Sequence, residues 1–461
     1  MLLLGMFVDQ IANIIADVCE ILNTENVSEV GIQSFCFSLP ATSETDWLEW
    51  LAAQPHYPQF YWQHRDGHEE VAACGQIRLF SNAIKAETFL HQHTQFPQMR
   101  IWGLNAWEKT DVCHIRNNQN KEQLQENEKN TGDEESYLFL PRMEIRRCHG
   151  ATHLYLNING QADIDNIHLF LRQIVPHQPF QISYAAVLNA THMPESEQWN
   201  ILLKQALNAI TQKKMEKVVM ARKTELTLNM PLQAAQFMAS SRGVNHRCYH
   251  FMLAFNDNQA FLASTPERLY YRYQLQVFTE ALAGTTENSE DDQKAKELGQ
   301  WLLEDKKNQH ENLIVVNDIC QRLQGGVESI DVAPPDVIRL RKVQHLRRHI
   351  HGVLNQVCDS DCLHRLQPTA AVAGLPREAA RQFLAENEPF HRGWYAGSAG
   401  YLCLEQSEFA VSLRCAYING DLLSLYAGAG IVSGSDPEQE WIEIENKAAG
   451  LRSLLGSLAN E

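Results

Sequence analysis

The amino-acid sequence predicts an α+β fold. Short aromatic and β-branched runs crowd the first 195 residues, and helical periodicities come in groups rather than alternating one-for-one with strands. No short-period internal repeat runs through the chain. At 461 residues it has room for two or three ordinary domains or one unusually large one. A composition of 44% hydrophobic and 21% charged residues matches an ordinary globular protein and excludes wholesale disorder. The balance of 39 Lys+Arg against 56 Asp+Glu, a net charge of −17, leaves no broad basic field for nucleic-acid phosphates.

The apolar start, MLLLGMFVDQIANIIADV, lacks a basic leader. Asp9, Gln10, Asn13 and Asp17 interrupt it well short of a membrane span. Ile11, Ile14, Ile15 and Val18 fall at helical spacing, so an amphipathic helix is expected, with no membrane partner and a cytoplasmic location. The 11 cysteines are scattered, and the close pair Cys358 and Cys362 has no second pair at zinc-site spacing; reduced thiols are expected. Strands are expected at MRIWGLNAW (from Met99), YLFLPRMEIRR (from Tyr137) and HLYLNI (from His153). Between the first two, residues 116–136 hold Leu124 as their one large apolar side chain. That composition predicts a mobile loop.

From Glu195 the pattern changes. Trp199, Leu202, Leu203, Ala206 and Ile210 predict a helix, and KVVMARKTELTL after it predicts a buried strand. FMLAF, QAFLAS and LYYRYQLQVFTEAL continue the strands, and one long helix is expected over Gln293–Leu323. After Ala333, Pro334 and Pro335, strands return at WYAGSAGYLCL, EFAVSLRCAYING and LLSLYAGAGIV. A final helix is expected from Pro437 to about Leu455, capped by Ser435 and Asp436.

Chemistry concentrates in this second part. Glu440, Glu443 and Lys447 share one face of the last helix, beside an apolar stripe of Trp441, Ile444, Ala448, Leu451 and Leu455. Glu304, Lys307 and Glu311 share a face of the long middle helix, opposite Leu313, Val316, Cys320 and Leu323. Each face alone reads as solvated surface. Facing each other, they would offer the oxygen ligands a hard cation requires. Lys217 opens an otherwise apolar strand, where it must reach water or serve a site. Glu267 sits in a Pro266-fixed turn, and Arg414 lies in the strand-like VSLRCA, where it calls for an anionic partner. The glycines of YAGAGIV lack a P-loop lysine, which argues against a nucleotide-phosphate cradle.

KVVMAR, STPERL, TEALAGT, the HENL helix, LQPTAAVAGLPR, WYAGSAGY, SLRCA, AGAGIV and SDPEQEWIEIENKAAGL follow one another over Lys217–Leu451. This series resembles the chorismate-utilising enzymes: the isochorismate, salicylate, anthranilate and aminodeoxychorismate synthases. LQPTAAVAGLPR and DPEQEW are most similar to isochorismate synthases of the menaquinone pathway. The resemblance implies one large α+β unit with a many-stranded antiparallel sandwich flanked by helices. In it residues 1–195 complete the sandwich without supplying catalytic groups, and residues 196–461 carry the cleft. A monomer is the simplest expectation.

The resemblance also implies a Mg²⁺ ion on Glu311 and Glu443 with Glu440 nearby, holding the ring carboxylate of chorismate beside Lys447. His310 would flank the metal. Arg414 and Tyr395 would bind the enolpyruvyl carboxylate, with amides near Gly428 and Gly430, while Ala283, Gly284 and Thr285 line the ring. Lys217 would be the base that activates water, and Glu267 the acid that protonates the departing hydroxyl. No redox cofactor or nucleotide is implied. Anthranilate synthases carry Gln at the place of Lys217, and aminodeoxychorismate synthases carry Lys at the place of Ala283. Salicylate synthases share Lys217 and Glu267 and remain the alternative, as does a siderophore-pathway isochorismate synthase.

Overall fold

The strand expected at Lys217 forms over Lys217–Leu228 and shows how the architecture is built. Its first six residues are all buried and its second half alternates between buried and partly exposed positions. The first half therefore runs through the middle of the protein and the second half borders solvent. In the computed structural model, the described residues are Glu20, 30–39, 46–107, 136–181 and 185–456. The expected N-terminal helix and the expected loop at 116–136 lie outside them, except that Ser136 opens a strand.

Antiparallel pairing joins most of the described strands into two runs. In the first, Lys217–Leu228 pairs with Leu422–Ile431, which pairs with Cys415–Asn419 and then Gln259–Thr265. Tyr249–Asn256, Gln59–Gln63, Glu69–Phe80 and Ser136–Cys148 continue that run. The second starts from Ser136–Cys148 and passes through Ile101–Asn105, Ser398–Leu402 and Gln406–Val411. It ends with Arg268–Tyr273, Gln276–Glu287 and Val343–Leu354. Strands from before residue 195 thus pair directly with strands from after it in both runs.

The runs form a sandwich closed by aromatic side chains. Trp102 of one layer meets Phe60 and Trp62 of the other, at ring separations of 5.2 and 6.0 Å, and Tyr401 at 4.7 Å within its own layer. Strand alternation decides which residues enter this core. Phe60, Trp62, Phe251 and Leu253 face it, whereas Tyr61, Met252 and Ala254 face a second core. The helices Trp47–Ala53 and Ala234–Val244 cover that second face with Trp47, Trp50, Phe237 and Met238. Burial on both faces explains why these strands read as continuous apolar runs.

Three expectations change. The long helix is two helices, Asp292–Glu304 and Lys306–Leu323. Asp305 has extended backbone between them, and its carboxylate accepts the Asn308 N–H at 2.8 Å, which caps the second helix. Glu304 is therefore exposed and separated from the face that carries Lys307 and Glu311. The packed stripe of the second helix is Asn312, Val315, Val316, Ile319 and Leu323, while Leu313 points outward. Asn312 displaces it because its amide donates to the carbonyls of Ala281, Ala283 and Leu346, each at 3.1 Å. Finally, Arg414 is not within a strand. Gln406–Val411 stops before it, and Arg414 has φ +48° just ahead of Cys415–Asn419.

The last helix, Pro437–Arg452, starts where expected, with the Asp436 carboxylate accepting the N–H groups of Glu438 and Gln439. Ile444, Ala448 and Leu451 are its buried stripe. The cysteines among the described residues are free thiols. No described helix is long and apolar enough to cross a membrane.

Candidate active site

A cleft of about 380 Å³ opens where the Lys217 strand, the bulged Gln276–Glu287 strand and the two carboxylate-bearing helices converge. Lys217 is 1% exposed at the start of its strand, and its Nζ lies 3.0 Å from Oε1 of Glu311. The neighbouring strand leaves room for this contact. A Cβ on Gly430 would lie 3.0 Å from Lys217 Cε and 3.4 Å from Glu311 Oε1. A Cβ on Gly428 would lie 2.5 Å from the Tyr395 hydroxyl. The alternating glycines of AGAGI thus clear one strand face for side chains arriving from elsewhere.

Glu267 is 3% exposed, in the turn between Gln259–Thr265 and Arg268–Tyr273. Burial, helped by the nearby Glu280 carboxylate, pushes its pKa up to about 8 against the opposing pull of Lys217 and Lys447. At neutral pH it is a protonated acid in the cleft that Lys217 also lines. Ala283, Gly284 and Thr285 line the same cleft, on a bulge between Leu282 and Thr285. Gly284 makes this bulge possible with φ +87°, a backbone region that penalises any Cβ.

The two helices supply the carboxylates. Glu311 comes from Lys306–Leu323; Glu440 and Glu443 come from Pro437–Arg452. Burial and the adjacent Glu443 raise the Glu440 carboxyl to about 7, although a Ser435 hydrogen bond lowers it. Burial would raise Glu443 as well, but Lys447, Lys217 and Lys307 hold it below the ordinary carboxylate value. Lys447 Nζ contacts Glu443 Oε1 at 2.6 Å and donates to the Gly428 carbonyl at 2.8 Å. The three carboxylates line one cleft without meeting at a point. Among the described residues, the single trio of potential ligands with all donor atoms within 4.8 Å is His64, Asp66 and His68, on a hairpin turn. The cleft set nonetheless suits a hard divalent ion, which takes oxygen donors, retains waters and needs few carboxylates. Burial first, and the adjacent Glu443 second, disfavour the ionised form of Glu440, and a cation bound beside the two would favour it.

Arg414 and Tyr395 also line the cleft. Arg414 Nη2 is 2.9 Å from His345 Nε2, and His345 Nδ1 is 3.0 Å from the Thr285 hydroxyl. Burial, with Arg414 and Lys447 adding to it, pushes His345 far below the usual imidazole value. It stays neutral and accepts from Arg414. Tyr395 stacks on Tyr426 at 5.4 Å.

Besides Glu304, His310 is the expected residue that does not line the cleft. It is exposed, since one step along the helix from Glu311 rotates it away. Lys307, expected on the same face as Glu311, lines the cleft; sequence reasoning missed His345, Asn308, Trp301 and Tyr426, which line it too. Tyr426 was within reach, because it sits two residues before Gly428 on the same strand face. His345 carries no local signal.

Buried Lys217, protonated Glu267 and three carboxylates thus share one cleft of an antiparallel sandwich. The family model "chorismate binding enzyme" matches residues 19–456, and the chain belongs to this family of enzymes. Among individual relatives, it is 48% identical over 438 residues to isochorismate synthase MenF of Escherichia coli (strain K12), covering 94% of this chain and 96% of that one. It is 38% identical to isochorismate synthase MenF of Pasteurella multocida (strain Pm70), covering 88% and 90%. The solved structure of MenF, the menaquinone-specific isochorismate synthase from Escherichia coli, superposes with a TM-score of 0.89 at 46% identity, covering 97% of this chain and 100% of that one.

Proposed function

We propose that this chain is an isochorismate synthase that converts chorismate to isochorismate as the first step of menaquinone biosynthesis, with Mg²⁺ as cofactor. The observation that carries the reading is the pairing of buried Lys217 with Glu267, which is protonated at neutral pH, across one cleft. The close relatives that share 48% and 38% identity bear the same activity in their names.

Lys217 in its neutral form takes a proton from a water that attacks C2 of the ring. Glu267 gives its proton to the C4 hydroxyl, so water rather than hydroxide departs while the double bonds shift. Arg414, oriented by His345, and Tyr395 hold the enolpyruvyl carboxylate. Lys447 faces the ring carboxylate, and Ala283, Gly284 and Thr285 bound the ring. Glu311, Glu443 and Glu440 would hold Mg²⁺, which when bound neutralises the ring carboxylate and fixes its orientation. Ala283 offers no nucleophile to the ring.

The test is chromatography of the products after incubation with chorismate and Mg²⁺, coupled to lactate dehydrogenase and NADH. Isochorismate without pyruvate supports the proposal. Stoichiometric pyruvate would make the chain a salicylate synthase, and unconsumed chorismate would leave it without this activity.

A further inference from the structure

Glu267 is held by a residue from the far side of the sequence. Arg65 follows the strand Gln59–Gln63 and is 9% exposed. Its guanidinium forks onto Glu280, with Nη1 to Oε1 at 2.5 Å and Nη2 to Oε2 at 2.8 Å. The same Nη1 donates to the Pro266 carbonyl at 2.9 Å. On the other side of Glu267, the Arg268 N–H donates to Glu280 Oε1 at 2.9 Å. The peptide groups immediately before and after Glu267 are thus both tied to one buried ion pair. A third tie comes from the Val411 N–H, which donates to the Glu267 carbonyl at 3.0 Å.

We propose that Arg65 and Glu280 are positioning residues for Glu267: they clamp the peptides on either side of it and set a permanent negative charge behind its carboxyl. The proposal rests on the reading of Glu267 as the general acid. A turn residue has rotational freedom that a proton donor must not use, and a bidentate pair removes it at both flanks. The charge has a second effect. Burial alone would push the Glu280 carboxyl up, but Arg65 and Arg268 hold it ionised. His349 Nδ1, 3.9 Å away, also faces it. Glu280 then disfavours ionisation of Glu267, which otherwise faces Lys217 and Lys447, both acting in the opposite sense. A guanidinium suits this place better than an ammonium, because it reaches two carboxylate oxygens and a carbonyl from one plane. Residues before 195 therefore do more than complete the sandwich.

The test compares wild type, Glu280→Gln, Arg65→Lys and Glu267→Gln by the pH dependence of kcat at saturating chorismate and Mg²⁺, with thermal melts to establish folding. Glu280→Gln keeps the shape but loses the charge. Its alkaline limb is expected to move to lower pH by about one unit, a tenfold change in the ratio of protonated to ionised acid. Arg65→Lys keeps the charge but loses the fork; kcat is expected to fall about tenfold with KM changed less than about twofold. Should Glu280→Gln not fold, Glu280→Asp, which keeps the charge one methylene further back, is expected to lower kcat like Arg65→Lys. Unchanged kcat and an unchanged limb in the folded variants, with Glu267→Gln inactive, would overturn the positioning role alone. Full turnover in Glu267→Gln would overturn the acid assignment and this inference with it.

Discussion

At Glu267, burial governs both chemistry and stability. Its carboxyl titrates at about 8 instead of its ordinary 4.5, so it holds its proton across the neutral range. An acid must be protonated to act; kcat is therefore expected to fall as pH rises through about 8, measured with Mg²⁺ held saturating. The stability effect follows the same proton. A raised folded-state value contributes stability that is complete below 4.5 and lost as pH climbs through about 8. Glu267→Gln removes both effects. Its turnover should drop by at least about 10²-fold, and its melting temperature should decline less between pH 5 and 8 than that of wild type. At the carboxylate trio, chelation with EDTA is expected to abolish turnover and added Mg²⁺ to restore it. Turnover that survives chelation would remove the ion from the reading.

Elements bring these residues together, and their ends do the aiming. The last helix carries Glu440, Glu443 and Lys447, and its first turn is held by Asp436. Asp436→Ala is expected to cost about 1 kcal/mol in denaturant unfolding and to raise the Mg²⁺ concentration needed for half-maximal rate. The Leu422–Ile431 strand contributes by what it lacks. Gly430→Ala would place a methyl 3.0 Å from Lys217 Cε, so the lysine must move. The expected result is a folded protein with kcat reduced about tenfold or more, checked by kinetics alongside circular dichroism. The last helix was legible because a cap, Pro437 and a 3.6-residue period coincide. The break at Asp305 was equally encoded, as a capping residue three before Asn308, but strong periodicity on both sides hid it. His345 and the left-handed conformation of Arg414 were not legible, because their contact joins segments distant in sequence and neither has a local pattern.

Over the whole molecule, the sandwich interlocks the two parts of the chain. Gln59–Gln63 lies beside Tyr249–Asn256, and Ile101–Asn105 lies beside Ser398–Leu402. Expressed alone, residues 196–461 would leave both strand edges and the Tyr401 ring that packs on Trp102 bare, and are expected to remain unfolded or aggregate, as read by circular dichroism and size-exclusion chromatography. In the full chain, Trp102→Ala should cost about 3–5 kcal/mol by denaturant unfolding, since the indole is fully buried among Phe60, Trp62 and Tyr401. A net charge of −17 repels a dianion at long range, although salt screens much of that repulsion. On the proposed function, capture would fall to the local set of Arg414, Lys447 and the ion that the acidic trio would hold.

The sequence by itself determined the α+β class, most strand and helix positions and the residue types at the cleft, because periodicity, caps and motif wording act over a few residues. Tertiary structure alone decided three things. It turned His310 out of the cleft, brought His345 onto Arg414, and set Arg65 behind Glu267 through Glu280. Each depends on pairing between segments far apart in the chain, where burial and a satisfied hydrogen bond choose the partner and local pattern carries no record of it.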